Sequence, residues 1–254
     1  METLFVGKNM LFLTEVESTN TYAMHMLRNV NVIEGTVVYT DNQTKGKGQR
    51  GAVWNSLIAS NITASVILKP VFLDVSKSFF LSKITALAVH DLLTDILGNS
   101  HYDIKIKWPN DILVNSMKIA GILIENTYNH NHLHYSIIGI GLNVNQAEFD
   151  TINHTATSLK LLTGNMFSRD ELLEKLCGFV EKWYLKLKSG KLSELNKHYM
   201  DNLLGLNQNL RFRNTDGSDF EAKIIHVGEN GKLHLQMPDL KVKEFDIKEL
   251  KFLI

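Results

Sequence analysis

The chain has 254 residues with 27 basic and 27 acidic side chains, so no long-range field draws it to nucleic acid or an anionic membrane. Any anionic ligand must be held by local chemistry. Cys177 is the single cysteine, which excludes a disulfide framework and a cysteine-built zinc site and fits a reducing, cytoplasmic setting. The N-terminal stretch lacks the unbroken apolar core of a signal peptide and no run approaches ~18 apolar residues. A soluble intracellular protein of one large or two modest domains is expected.

In chain order, a capping hydroxyl at Ser18 or Thr19, followed by Tyr22, Ala23, Met26 and Leu27, predicts a helix. Residues 36–40 and 61–68 are β-branched or alternating and predict strands joined by an exposed glycine loop. Phe80, Ile84, Leu87, Ala88 and Leu92 predict a long helix beginning near Asp74 or Ser76. Four strand-like runs follow at 104–107, 112–114, 119–125 and 135–144, with Asn115-Ser116 turning the second into the third. His130, His132 and His134 alternate ahead of the last run; with no acidic or cysteine partner nearby, they read as a polar loop entering a strand, not a metal site. Ser168-x-x-Glu171 is a capping box before the stripe Leu172, Leu176, Phe179, Trp183 and Leu187. Cys177 lies beside that stripe and reads as an inert buried thiol. A further helix covers 192–203. From Leu206 the pattern changes to short strands punctuated by Asp216-Gly217, Gly228, Gly231 and Pro238. The change sets a boundary at Gly205, between an α/β domain of residues 1–204 and a small all-β module of residues 205–254.

The loop Gln43-Thr44-Lys45-Gly46-Lys47-Gly48-Gln49-Arg50-Gly51 leads to Trp54, and its glycines match G-x-G-x-x-G. A dinucleotide site requires a helix opening at those glycines, whereas residues 52–68 run into an alternating strand. A kinase requires H-R-D and D-F-G downstream, and neither occurs. A phosphate loop requires Lys and Ser or Thr where Ala52 and Val53 stand. What remains is a flexible loop with free backbone N–H groups and three cations, Lys45, Lys47 and Arg50. It is fit to fold over a carboxylate or phosphate, or else it is a solvated hairpin tip.

Lys107-Trp108-Pro109-Asn110-Asp111 and Lys118-Ile119-Ala120-Gly121-Ile122-Leu123-Ile124-Glu125 put the ammoniums of Lys107 and Lys118, the amide of Asn110 and the carboxylate of Asp111 on neighbouring apolar strands. Charged groups are seldom buried without a partner or ligand. The alternative sets both lysines on the solvent face, Trp108 in the core and Asn110-Asp111 in a turn. In Gly139-Ile140-Gly141-Leu142-Asn143-Val144-Asn145, two glycines allow close backbone approach. Asn143 carries the donor and acceptor that an adenine edge needs, or it satisfies a strand end. Trp54 offers a π-face to a base.

Together, Ser18-Thr19-Asn20, Gln43 with GKGQRG and Trp54, KWPND at 107–111, KIAGILIE at 118–125, GIGLNVN at 139–145 and ATSL at 156–159 resemble a biotin protein ligase, in order and spacing, across residues 18–159. The resemblance implies an α/β (α+β) catalytic domain with the mixed sheet of class II aminoacyl-tRNA synthetases, and a C-terminal SH3-like β-barrel that assists ATP or carrier engagement. With 17 residues before the Ser-Thr-Asn triplet, the chain looks like the form without an N-terminal DNA-binding domain. Implied chemistry is activation of biotin by ATP to biotinyl-5′-AMP, then transfer to a lysine of a biotin carboxyl carrier protein, with Mg2+ accompanying the nucleotide through phosphates and water. No protein metal ligand, nucleic-acid partner or membrane partner is implied, and an exposed edge strand would allow a homodimer.

Carried over position by position, the resemblance makes Lys118, Asp111 and Arg50 the catalytic candidates. Lys118 contacts the biotin carboxylate and the α-phosphate, and Asp111 orients the incoming lysine. Ser18, Thr19, Asn20 and Gln43 face biotin's ring atoms. The loop residues Gly46, Lys47, Gly48 and Gln49, with Gly121 and Lys118, complete the biotin site. Trp54, Asn143, Arg50 and Lys118 form the ATP site. Gln49 departs from the family's frequent GRGRRG, where an arginine helps to hold the adenylate; Arg50 is expected to substitute for it. Two other readings stay open: a lipoate or octanoate ligase on the same fold, and a non-catalytic biotin or nucleotide sensor.

Overall fold

A computed structural model of the protein describes residues 2–29, 31–98, 101–149 and 156–253, with the side chains of Asn29 and Arg50 outside the described part. It opens with a strand that the sequence reading did not assign, β1 (Met10–Val16). β1 is an edge strand that buries little of its surface, so its apolar alternation is weak. Helix α1 (Thr19–Asn29) follows as expected, then β2 (Val37–Gln43), β3 (Ile62–Leu68) and α2 (Phe79–Leu97). The expected early start of the long helix is a separate 3-10 turn at Val75–Lys77, because the Asp74 side chain accepts from the Ser76 N–H and caps that turn instead. Strands β4 (Ile104–Lys107), β5 (Asp111–Val114), β6 (Met117–Asn129) and β7 (His132–Leu142) complete the larger sheet. Asn115 and Ser116 turn β5 into β6, both at positive φ (50° and 66°), the backbone of a two-residue hairpin.

These strands make one mixed sheet in the order β1-β2-β3-β7-β6-β5-β4, with only the β1–β2 pair parallel. Period-two alternation divides its faces. Ile62, Ala64, Val66 and Leu68 join the α2 core, whereas Val38, Ile67 and Ile137 pack with Ala23 of α1. β3 is therefore buried along its whole length. Behind α2 lie α4 (Arg169–Lys188), capped by Ser168 as its capping box predicts, and α5 (Leu192–Asp201). Short α3 (Leu159–Thr163), capped by Ser158, has no counterpart in the sequence reading. Cys177 is buried in α4, and burial pushes its thiol up to about 12, so it is inert at neutral pH. No helix of the described residues is long and apolar enough to cross a membrane.

The C-terminal strands β8 (Asn209–Asn214), β9 (Asp219–Val227), β10 (Leu233–Gln236), β11 (Val242–Phe245) and β12 (Leu250–Phe252) form a second, antiparallel sheet in the order β11-β10-β9-β8-β12. Among the described residues no ladder joins β11 to β12, so the expected barrel is here a sheet with two ends. Two side chains of the first unit dock it. Trp108 Nε1 donates to the Gly231 carbonyl at 2.8 Å. Lys83 of α2, wholly buried, donates to Asn196 Oδ1 (2.6 Å) and to the carbonyls of Val227 and Gly228 (3.0 and 3.1 Å).

Candidate active site

The α1 face of the sheet carries a trough floored by small residues. Thr63, Gly141, Gly121 and Asp111 lie opposite one another across β3, β7, β6 and β5, and Ser65, Gly139 and Leu123 form the next row. Over the first row lies Trp54. A methyl on Gly141 would stand 2.3 Å from its indole, and one on Gly121 would stand 3.1 Å away. The two glycines are thus what lets an aromatic ring lie flat on this sheet. The resulting cleft, about 330 Å³, runs from Ser18 and Gln43 to β12.

Lys118 reaches this face through a β-bulge. Ile112 pairs with Ala120 but the next residue, Leu113, pairs with Lys118, so β6 carries one extra residue there. In an unbroken strand Lys118 and Gly121 would point to opposite faces; the extra residue reverses that. Ile119 joins the core behind the sheet. The Lys118 ammonium then sits 2.6 Å from Asp111 Oδ1 and 5.7 Å from the Trp54 ring. The two charged motifs are brought together, and the solvent-face alternative is excluded for Lys118. Trp108 does fill the core, and Asn110 does serve its turn, donating to the Ile122 carbonyl at 2.8 Å. Lys107 lies 5.5 Å from the Phe252 ring. Burial lowers its pKa, opposed by Asp111 and assisted by the positive charges of Lys118 and Lys251. Among the described residues the cleft is lined by Lys47, Lys107, Lys118, Lys248 and Lys251 against the single carboxylate of Asp111. An otherwise neutral protein thus concentrates positive charge in this cleft.

At the other end is a polar corner. The Thr19 N–H donates to Gln43 Oε1 at 2.8 Å, and Ser18 and Thr19 are buried at the start of α1. With its oxygen so engaged, Gln43 keeps its amide hydrogens for a ligand. Asn20 sits here too, but its polar atoms are taken up by Ser65, Leu123 and Glu125.

The glycine loop is a folded hairpin and less free than expected. The Gly48 N–H donates to the Ala52 carbonyl (2.7 Å) and the Trp54 N–H to Gly46 (3.1 Å), around a 3-10 turn at Gln49–Gly51. A methyl on Gly46 would stand 2.2 Å from the Trp54 carbonyl, so Gly46 serves the hairpin. Lys45 is bound to Glu17 at 2.5 Å and does not line the cleft among the described residues. Lys47, Gly48 and Gln49 do line it. The Arg50 side chain lies outside the described residues.

Asn143 is 4% exposed and donates to the Thr157 carbonyl at 3.0 Å, while its Oδ1 has no partner among the described residues. Both readings of this residue hold in part: one end of the amide satisfies the backbone, and the other is a buried acceptor of the kind an adenine amino group would meet. Thr157 in turn donates its N–H to the Lys118 carbonyl, so the ATSL segment closes on the KIAG strand. Sequence reasoning missed Thr63, Ser65 and the β12 flank. Two hydroxyls inside an apolar strand were a usable signal for the first two; nothing marked Leu250, Lys251 or Phe252.

The family model described as the biotin/lipoate A/B protein ligase family matches residues 12–143. The bifunctional ligase/repressor BirA of Bacillus subtilis is 32% identical over 239 residues, covering 93% of this chain and 72% of that protein. The biotin--[acetyl-CoA-carboxylase] ligase of Paracoccus denitrificans is 26% identical, covering 89% of this chain and 93% of that protein. Among solved structures, the biotin protein ligase from Aquifex aeolicus in complex with biotin and ATP superposes with a TM-score of 0.78 at 28% identity, covering 96% of this chain and 98% of that one.

Proposed function

Since the chain belongs to the biotin/lipoate A/B protein ligase family, we propose that its cleft runs the two-step reaction of a biotin protein ligase. Biotin's carboxylate attacks the α-phosphate of ATP, giving biotinyl-5′-AMP and pyrophosphate. A lysine of a biotin carboxyl carrier protein then attacks the mixed anhydride and releases AMP. The first step brings two anions together, so it requires cations fixed in advance where charge collects. The observation that carries this reading is the Lys118 ammonium, turned onto the trough by the bulge and held by Asp111.

From that point the roles follow. Lys118 neutralises the biotin carboxylate and the α-phosphate as they meet. Gln43, Thr19 and Ser18 bind the polar ring atoms of biotin; a dithiolane ring offers such groups nothing, which favours biotin over lipoate. Trp54 and Asn143 take the adenine, by stacking and by Oδ1 respectively. Gly121 keeps the floor open beneath them. The hairpin of Gly46, Lys47, Gly48 and Gln49, with Arg50, covers the carboxylate and phosphate and excludes water. Asp111 is freed when Lys118 turns to the phosphate and then orients, and accepts a proton from, the incoming amine. Magnesium fits here only as a companion of the nucleotide's phosphates. Among the described residues the cleft's one carboxylate is taken by Lys118, and there is no group of three potential ligands.

We divide the chain into a catalytic unit, residues 1–204, and a module, residues 205–254, that sets Lys251 and Phe252 on the cleft. β1, paired among the described residues only with β2, is where a homodimer contact would form, and the lone cysteine suits the cytoplasm. The test incubates the protein with ATP, magnesium and either biotin or lipoate, and seeks the acyl-AMP by mass spectrometry. A biotin carrier domain is then added. Adduct with biotin and mass gain on the carrier are expected; adduct with lipoate alone, or none, overturns the assignment.

A further inference from the structure

Ser65 is wholly buried in β3, on the row behind the polar corner, with its Oγ 2.6 Å from Asn20 Oδ1 and 2.7 Å from Thr19 Oγ1. Asn20 is itself 3% exposed, and its Nδ2 lies 2.8 Å from Glu125 Oε2 and 3.3 Å from the Leu123 carbonyl. There is no slack around it, since a methyl on Gly139 would stand 2.4 Å from Asn20 Oδ1. We propose that Ser65, Asn20 and Glu125 are positioning residues that set the hydrogen-bond polarity of the biotin-ring site, and that Asn20 does not itself contact biotin.

Counting protons fixes the directions. The Glu125 carboxylate and the Leu123 carbonyl only accept, so the Asn20 amide nitrogen must face them and both its hydrogens are used. Asn20 Oδ1 therefore faces Ser65 and can only accept. The single Ser65 proton goes to it. Ser65 Oγ, its proton committed, lies 2.7 Å from Thr19 Oγ1, nearer than Gln43 Oε1 at 3.1 Å, so it accepts from the Thr19 hydroxyl, whose own single proton is then spent. Thr19 Oγ1 is left with lone pairs, and Gln43, whose Oε1 holds the Thr19 N–H, is left with amide hydrogens. The corner thus offers one acceptor and one donor side by side, the complement of a cyclic urea with its N–H and C=O. Without the carboxylate at Glu125 the Asn20 amide could turn over, and the order of donors along the chain would reverse.

This rests on biotin being the ligand, and the experiment separates the two ideas. Biotin affinity is measured by calorimetry without ATP, and steady-state KM values for biotin and ATP are measured with it, for wild type, Ser65→Ala, Asn20→Asp and the double variant Asn20→Asp with Glu125→Gln. If wild type does not bind biotin, the ligase reading itself fails. Given binding, Ser65→Ala should weaken it by roughly tenfold or more, as expected for a buried acceptor losing its donor, with kcat and the KM for ATP within about twofold. Asn20→Asp, which opposes two carboxylates, should lose about a hundredfold. The double variant restores the polarity, with the amide introduced at position 125 donating to the carboxylate introduced at position 20, and should recover biotin affinity to within about threefold. Unchanged biotin affinity in Ser65→Ala, equal losses for biotin and ATP, or a double variant no better than Asn20→Asp would overturn the proposal.

Discussion

The Trp54 indole rests on Gly141, its ring atoms 2.3 Å from where a side-chain carbon would be. A ring can lie there only because the residue across β7 from Thr63 has no side chain. Gly141→Ala should push the indole off the floor and raise the KM for ATP roughly tenfold or more. Overpacking at this point should cost about 1–3 kcal/mol of stability. Tryptophan fluorescence and ATP titration check both effects, and an unchanged KM would remove Trp54 from the nucleotide site.

Lys118→Ala should lower the rate of acyl-adenylate formation by about a hundred- to a thousandfold, the usual cost of removing one fixed donor to a developing charge. The protein should stay folded, because Lys118 and Asp111 are part-exposed (36% and 24%) and such a pair contributes within about 1 kcal/mol. A near-normal rate of adenylation in the folded variant would refute the assigned role.

Gln49 stands where the family often has arginine, and a neutral amide makes no charge-assisted bond to a phosphate. Arg50→Ala should therefore release biotinyl-5′-AMP about tenfold faster and slow its formation. Trapping of free adenylate on filters gives the measurement. If retention and rate are both unchanged, Arg50 does not substitute for the missing arginine.

Burial drives the Lys83 ammonium down from 10.5 to about 8, against the weaker pull of Glu229. Below pH 8 the proton is held in both the folded and the unfolded chain and the full burial penalty applies. Between about pH 8 and 10.5 the unfolded chain keeps a proton that the folded chain has released, so stability rises with pH, by of the order of 3 kcal/mol for this group. Urea unfolding across that window should show the rise in wild type and its loss in Lys83→Met. Identical pH slopes would show that Lys83 does not titrate there.

Most of the parts were legible in the amino-acid order. The Ser168 capping box, the α2 stripe, the Asn115-Ser116 turn and the Lys107–Asp111 and Lys118–Glu125 segments each carry a local signal, a period or a turn residue, that acts within a few positions of chain. Edge strand β1 escaped because a strand paired on one side and exposed on the other needs little apolar alternation. The tertiary structure alone decided which face Lys118 occupies, since a one-residue bulge reverses every side chain beyond it and depends on how β6 meets β5. It also decided that Gly121, Gly141 and Thr63 form one floor, that Ser65 stands behind Thr19, and that β12 flanks the cleft. Those are cross-strand relations, set by register and packing between segments far apart in sequence, and no local pattern of residues encodes them.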